Sequence, residues 1–417
     1  MKSGNLGSAK KQSPRLFYGY IIVFCAFFII LIAQGTYYSF GVFFESVLTE
    51  FGWTRALTSG AFSVALFLHG FVAVGNGRLN DRFGSRLIVT VSGFLLGLGY
   101  ILMAQVSSIG QFYLYFGVII GVAMGGFFVP LASTVARWFT RRRGLMSGIF
   151  LSGIGTGTMI MPPVARLLIS NYGWRLSYTI FGVLTLVFIL VLTQFLRRDP
   201  GQMGLMAYGE EDEVTEESVD LQERGFSVRE ALCTRQFWMI WAVYFSLMFS
   251  VQVMMVHVVI HATGMGISAI NAASIPAIIG GVSIAGRVAL GGGADRIGSK
   301  RIIVMALFVL SAALFWLLTA RELWMLYLFA TVFGFAYGGL VSMQPTVTAD
   351  LFGLRSHGVI LGLVFVSAGI GGAVGPVVVG HLYDVTSSYQ PGFLVCAIIA
   401  VACAIQALYL KPVSKGG

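Results

Sequence analysis

The chain reads as a succession of long apolar runs cut by short charged turns. An α-helix rises 1.5 Å per residue, so about 20 apolar residues cross a hydrocarbon core roughly 30 Å thick. On that measure twelve spans are predicted, at 17–44, 57–77, 87–105, 111–136, 144–170, 176–196, 237–262, 269–292, 302–320, 323–347, 358–382 and 391–410. The predicted fold class is an all-α membrane protein with twelve transmembrane helices. The predicted organisation is a disordered cytosolic tail (1–16), an N-terminal six-helix half (17–196), a cytosolic linker (197–236), a C-terminal six-helix half (237–411) and a cytosolic tail (412–417). The first apolar run is too long for a signal-peptide core, so it is expected to remain as a span.

Composition agrees with this pattern. The 417 residues are 57% hydrophobic and only 11% charged, against roughly 25% charged in a soluble domain. Charge placement then gives an orientation. With the N-terminus inside, the inner segments hold 22 of the 27 Lys and Arg, and the outer segments hold 4. This asymmetry predicts a multi-pass protein of the cell (inner) membrane, with both termini cytoplasmic. The net charge of +10 is thereby a matter of topology, and no nucleic-acid partner is expected. The acidic block at 210–217 reads as part of a solvated linker. The four cysteines show no metal-ligand or disulfide spacing. The glycine-rich runs follow no strand, which argues against phosphate loops. With no nucleophile–base pair, metal cluster or cofactor motif, the chain is not expected to be an enzyme, and no cofactor is expected.

The two halves repeat. Gly77-x-x-x-Asp81-Arg82-x-Gly84-x-Arg86 returns as Gly291-x-x-x-Asp295-Arg296-x-Gly298-x-Lys300, at an offset of 214. The same offset pairs Arg141 with Arg355, Gly144 with Gly358, Gly148 with Gly362, Gly155 with Gly369 and Pro162 with Pro376. A constant offset over separate loops and helices predicts two pseudo-symmetric six-helix halves.

These loops, the twelve spans and the long middle linker resemble the major facilitator superfamily. The resemblance implies that Asp81, Arg82, Asp295 and Arg296 latch helix ends together at the inner face. A carboxylate in such a turn suits a helix N-terminus or a neighbouring arginine. A narrower resemblance rests on Tyr38-Ser-Phe-Gly-Val-Phe-Phe44 with Phe51-Gly-Trp-Thr-Arg55, and on Arg137-Trp-Phe-Thr-Arg-Arg-Arg143-Gly-Leu-Met-Ser-Gly148. Thr234-Arg-Gln-Phe-Trp238, His257-Val-Val-Ile-His261 and Arg287 add to it. Together these are similar to the monocarboxylate transporter family and its bacterial relatives, which include the oxalate/formate exchangers.

Arg287 is the leading site residue. It precedes Asp295 by eight residues, which places it about 12 Å along the helix from the charged turn. A guanidinium at that depth costs a few kcal/mol unless it faces a partner or a wet cavity, so it marks a site by default. Its repeat counterpart is Ala73, so the fold itself needs no charge there. Its planar fork suits a carboxylate, and the family resemblance gives it that role. Span 11 carries no second cation where oxalate/formate exchangers are expected to have one, and one buried positive charge matches one carboxylate.

Tyr37, Tyr38, Gln252 and Tyr337 lie near mid-depth and are candidates to line the same cavity. His257 is the candidate proton carrier, with wetting at the outer end of span 7 as the alternative. His69 is expected to pack. Animal members of the family place an acid four residues before the arginine and a lysine in span 1; here Ser283 holds the first position and span 1 lacks a lysine. The sequence therefore predicts a secondary transporter of small monocarboxylates such as lactate, pyruvate or short fatty acids. Its expected partners are a proton and the lipid bilayer, and it is expected to work as a monomer. An anion exchanger of the oxalate/formate type and a non-transporting membrane sensor are the alternatives.

Overall fold

In the computed structural model the chain is described over residues 17–209 and 225–410. The two tails and the acidic block lie outside the described residues. Eleven continuous stretches are long and apolar enough to cross a membrane. They are α1 (Tyr18–Phe51, kinked at Ser39), α2 (Arg55–Phe83), α3 (Ser85–Met103), α4 (Ile109–Trp138), a long stretch Arg143–Thr193, α7 (Arg235–Gly264), α8 (Ala269–Ile297), α9 (Ser299–Thr319), α10 (Leu323–Phe352), α11 (His357–Thr386) and α12 (Gln390–Leu408). The stretch of 51 residues is more than twice the length one crossing needs. It breaks at Gly173, whose φ of 76° and ψ of 162° lie outside the helical region. It therefore supplies two spans, α5 (143–172) and α6 (174–193), which makes twelve.

Several helices outrun the predicted spans at their charged ends. Hydropathy stops at the first charge, but the backbone ladder continues until a residue leaves the helical region. Gly84 (φ 85°) ends α2, Gly298 (φ 90°) ends α8 and Gly353 (φ 71°) ends α10. Glycine adopts these left-handed values without the Cβ penalty.

Two apolar cores form, one within α1–α6 and one within α7–α12. The halves meet where α2 packs on α11 and α5 packs on α8. Both crossings are backbone on backbone. A Cβ built on Gly77 would stand 2.3 Å from the Gly358 carbonyl oxygen, and one on Gly291 would stand 2.5 Å from that of Gly144. The repeat offset exchanges these pairs, since Gly77 corresponds to Gly291 and Gly144 to Gly358. Small residues let helices approach this closely inside a membrane, where no hydrophobic force drives them together.

The linker's described ends are bonded to the two halves. The Tyr208 N–H donates to the Trp138 carbonyl at 3.0 Å, and the Phe226 N–H donates to the Phe352 carbonyl at 2.9 Å. Trp138 and Phe352 are repeat partners, so the linker is fastened to equivalent points on both halves. The helix Val228–Leu232 follows, started by a capping box of Ser227 and Glu230, which satisfies two otherwise orphaned N–H groups.

Candidate functional site

Close packing around α8 sets the position of Arg287. On one side α5 presents Gly148 and Gly155; on the other α10 presents Gly338. A Cβ on Gly148 would lie 2.2 Å from the Arg287 carbonyl oxygen, and one on Gly155 would lie 2.9 Å from Nη1 of Arg287. One on Gly338 would lie 2.0 Å from the Ser283 carbonyl oxygen. These three glycines hold the α8 backbone between its neighbours and leave room for the guanidinium. Arg287 is 2% exposed.

The guanidinium borders a cavity of about 160 Å³ between the halves. Tyr38 from α1, Gln252 from α7 and Tyr337 from α10 line it with Arg287, so one residue from each of four helices converges there. The guanidinium carbon sits 5.7 Å from the Tyr337 ring centroid, within cation–π range. Among the described residues no carboxylate lies within ion-pair distance of Arg287. Its Nε and Nη1 are buried and have no hydrogen-bond partner within the protein. A buried donor left unpaired is costly, and a carboxylate would satisfy two donors at once. The remaining wall is largely apolar, with Leu66, Phe128, Met248, Val341 and Phe365. The α11 residues in the wall are Phe365, Ala368, Gly369 and Gly372, none of them cationic.

Two predicted site residues lie elsewhere. Tyr37 is not part of the cavity wall. It packs into the N-terminal half, stacked on Phe62 at 5.0 Å and Phe116 at 6.0 Å. Successive helical residues point about 100° apart, so once Tyr38 faces the cavity its neighbour turns away. His257 also lies outside the wall. Its Nε2 is 3.0 Å from the Pro376 carbonyl oxygen, and its ring sits 5.3 Å from that of Tyr389. It follows Gln252 by five residues, which rotates it about 140° from the cavity-facing side.

Three residues not predicted here do line the cavity: His69, Gln34 and Gln344. His69 was expected to pack. It is buried, at 6% exposed, with its ring 5.3 Å from that of Phe365 across the gap between halves, and its Nε2 has no hydrogen-bond partner within the protein. Each is a polar side chain inside an apolar run, the same signal that singled out Gln252.

At the charged end, the aspartates of the repeated turns cap helices of the opposite half. Asp295 accepts from the Gly144 and Leu145 N–H groups, both at 2.8 Å. Asp81 accepts from those of Gly358 and Val359, both at 3.3 Å. These are the first turns of α5 and α11, where unpaired N–H groups and the helix dipole favour negative charge. The arginines that pair with acids at this end differ from the predicted ones. Arg137 pairs with Asp81 at 3.3 Å and donates to the Leu354 carbonyl at 3.0 Å, and Arg143 pairs with Asp350 at 3.3 Å. Arg82 and Arg296 are exposed, and Arg82 lies over the Phe83 ring at 5.1 Å. Each follows its aspartate by one residue, so the helical rotation that turns the carboxylate to the opposite half turns the arginine away.

Among the described residues, twelve membrane-crossing helices in two similar halves with a cavity between them have the architecture of a membrane transporter of the two-half type. The sequence matches the Major Facilitator Superfamily over residues 23–321 and 294–417. The chain belongs to that family. It is similar to monocarboxylate transporter 13 of Rattus norvegicus, at 26% identity over 399 residues, covering 94% of this chain and 89% of the relative. It is also similar to the uncharacterised transporter YhjX of Escherichia coli, a protein of the same superfamily, at 26% identity over 323 residues and 76% of each chain. Among solved structures, the proton:xylose symporter XylE shares the fold with a TM-score of 0.76 at 15% identity, covering 93% of this chain and 94% of that one.

Proposed function

We propose that this transporter moves small monocarboxylates by alternating access, one carboxylate pairing with Arg287. The observation that carries the reading is the buried guanidinium with two unpartnered nitrogens on a cavity wall that, among the described residues, holds no carboxylate, lysine or second arginine. Tyr38, Tyr337 and Gln252 suit a hydroxyl or keto oxygen on the substrate. Pairing neutralises the carboxylate, so the substrate passes the membrane centre without a naked negative charge. The basic end faces the cytoplasm, because 22 Lys and Arg fall on that side and 4 on the other. The halves are joined there, so this is the inward-closed state. Asp81 and Asp295, with Arg137 and Arg143, form the latch that must open. One chain supplies the whole site, so a monomer suffices.

A proton accompanies the substrate in this reading, which makes the cycle electroneutral. His69 is the histidine on the cavity wall and is the proposed proton carrier. The titratable groups that share that wall are Arg287, Tyr38, Tyr244 and Tyr337. The test is uptake of radiolabelled lactate or pyruvate into proteoliposomes with and without an inward proton gradient. Saturable uptake stimulated by external acid and abolished in Arg287→Ala is expected. Full uptake by Arg287→Ala removes the assignment.

A further inference from the structure

The two seams between the halves are related by the repeat, yet they differ at the depth of the site. Where α5 faces α8, Gly155 meets Ile284, and a Cβ on Gly155 would stand 2.7 Å from Ile284 Cγ1. Where α2 faces α11, the corresponding residues are Gly70 and Gly369, at the offset of 214. A Cβ on either would meet nothing within 4 Å. The isoleucine that fills one seam is a glycine in the other.

That gap leads somewhere. A second cavity of about 460 Å³ lies along the α2–α11 seam, and it shares Leu66, Gly70 and Gly369 with the cavity at Arg287. Apart from Ser63 its lining carries no polar side chain, and Phe67, Phe71, Ile370 and Val374 form its exposed rim. The Arg287 cavity alone, at about 160 Å³, falls below the roughly 300–1,000 Å³ of drug-sized ligand pockets. Joined to the groove it enters that range.

We infer that the substrate class extends beyond short acids to medium-chain aliphatic monocarboxylates, the carboxylate held at Arg287 and the longer tail passing between Gly70 and Gly369 into the apolar groove. This rests on the Arg287 reading and adds the tail site. The two cavities share Leu66, Gly70 and Gly369, and a Cβ on either glycine meets nothing within 4 Å; that opening selects this occupant, because a tail too long for the Arg287 cavity meets apolar surface beyond it. A bilayer acyl chain in the groove, with no role in substrate binding, is the competing occupant.

The experiment measures binding of acetate, butyrate, hexanoate and octanoate by calorimetry to the full chain in lipid nanodiscs, with the heat from empty nanodiscs subtracted. Octanoate is expected to bind at least about tenfold tighter than butyrate, since each buried methylene adds affinity. Ala373→Phe fills the exposed groove away from Arg287. It is expected to leave butyrate affinity within about twofold while removing most of the octanoate advantage. Val374→Phe, on the exposed rim of the same groove and outside the Arg287 cavity, is expected to act the same way, which guards against misfolding of either variant. A flat chain-length profile, or an octanoate advantage that survives both variants, overturns the tail site and leaves the groove to lipid. Arg287→Ala separates the two levels. If it abolishes butyrate binding while the profile is flat, the carboxylate site stands and the tail site falls. If it leaves all four acids bound, both fall.

Discussion

The glycine crossings at the basic end predict that one methyl group will hold the transporter open there. In Gly77→Ala the new Cβ would lie 2.3 Å from the Gly358 carbonyl oxygen, whereas ordinary contact begins near 3.4 Å. The obstacle on both sides is helix backbone, so α2 and α11 must part by about 1 Å. The Asp81 bonds to Gly358 and Val359 already stand at 3.3 Å, and that movement takes them beyond hydrogen-bond range. Losing two charge-assisted bonds at a partly exposed site costs the closed state about 3 kcal/mol. That shifts the equilibrium by about a hundredfold, enough to turn a closed population of about 99% into an even mixture. The assay is double electron–electron resonance between spin labels at Arg82→Cys and Lys300→Cys, exposed positions on opposite halves, in a background freed of native cysteines. Gly77→Ala should transfer population to the longer distance. Gly75→Ala, where a Cβ meets nothing within 4 Å, should leave the distribution unchanged. A wild-type distribution in Gly77→Ala, or an equal shift in Gly75→Ala, refutes the reasoning.

Two further predictions concern single polar groups. Asp295→Asn keeps one acceptor but turns a donor toward the first turn of α5, so it loses at least one of two 2.8 Å bonds. Hydrogen–deuterium exchange at the Gly144 and Leu145 amides should accelerate about tenfold, and unchanged exchange would show that the carboxylate is not their cap. His69→Ala should preserve substrate binding while flattening the acid stimulation of uptake; an unaltered pH profile would remove His69 as the proton carrier.

The sequence alone determined the number of spans, the two-half repeat and the isolation of Arg287. Each follows from a local property: run length against the thickness of the hydrocarbon core, a constant offset, and a charge with no counterpart at Ala73. The repeated aspartates were legible for the same reason, because a carboxylate in a short turn between helices has few things to face. What the tertiary structure decided was direction and partnership. Tyr37 and Tyr38 are adjacent in sequence, and only the packing of α1 against α2 and α4 shows which one faces the cavity. Arg82 and Arg137 are equally basic, and only the packing of α4 beside α2 makes Arg137 the partner of Asp81. His69 and His257 carry the same imidazole, but helix rotation brings one to the cavity wall and binds the other to the Pro376 carbonyl. The gap at Gly70 and Gly369 was hidden for a related reason. Each glycine by itself reads as close helix packing, and whether a neighbour fills the space beside it depends on a helix from the other half of the chain.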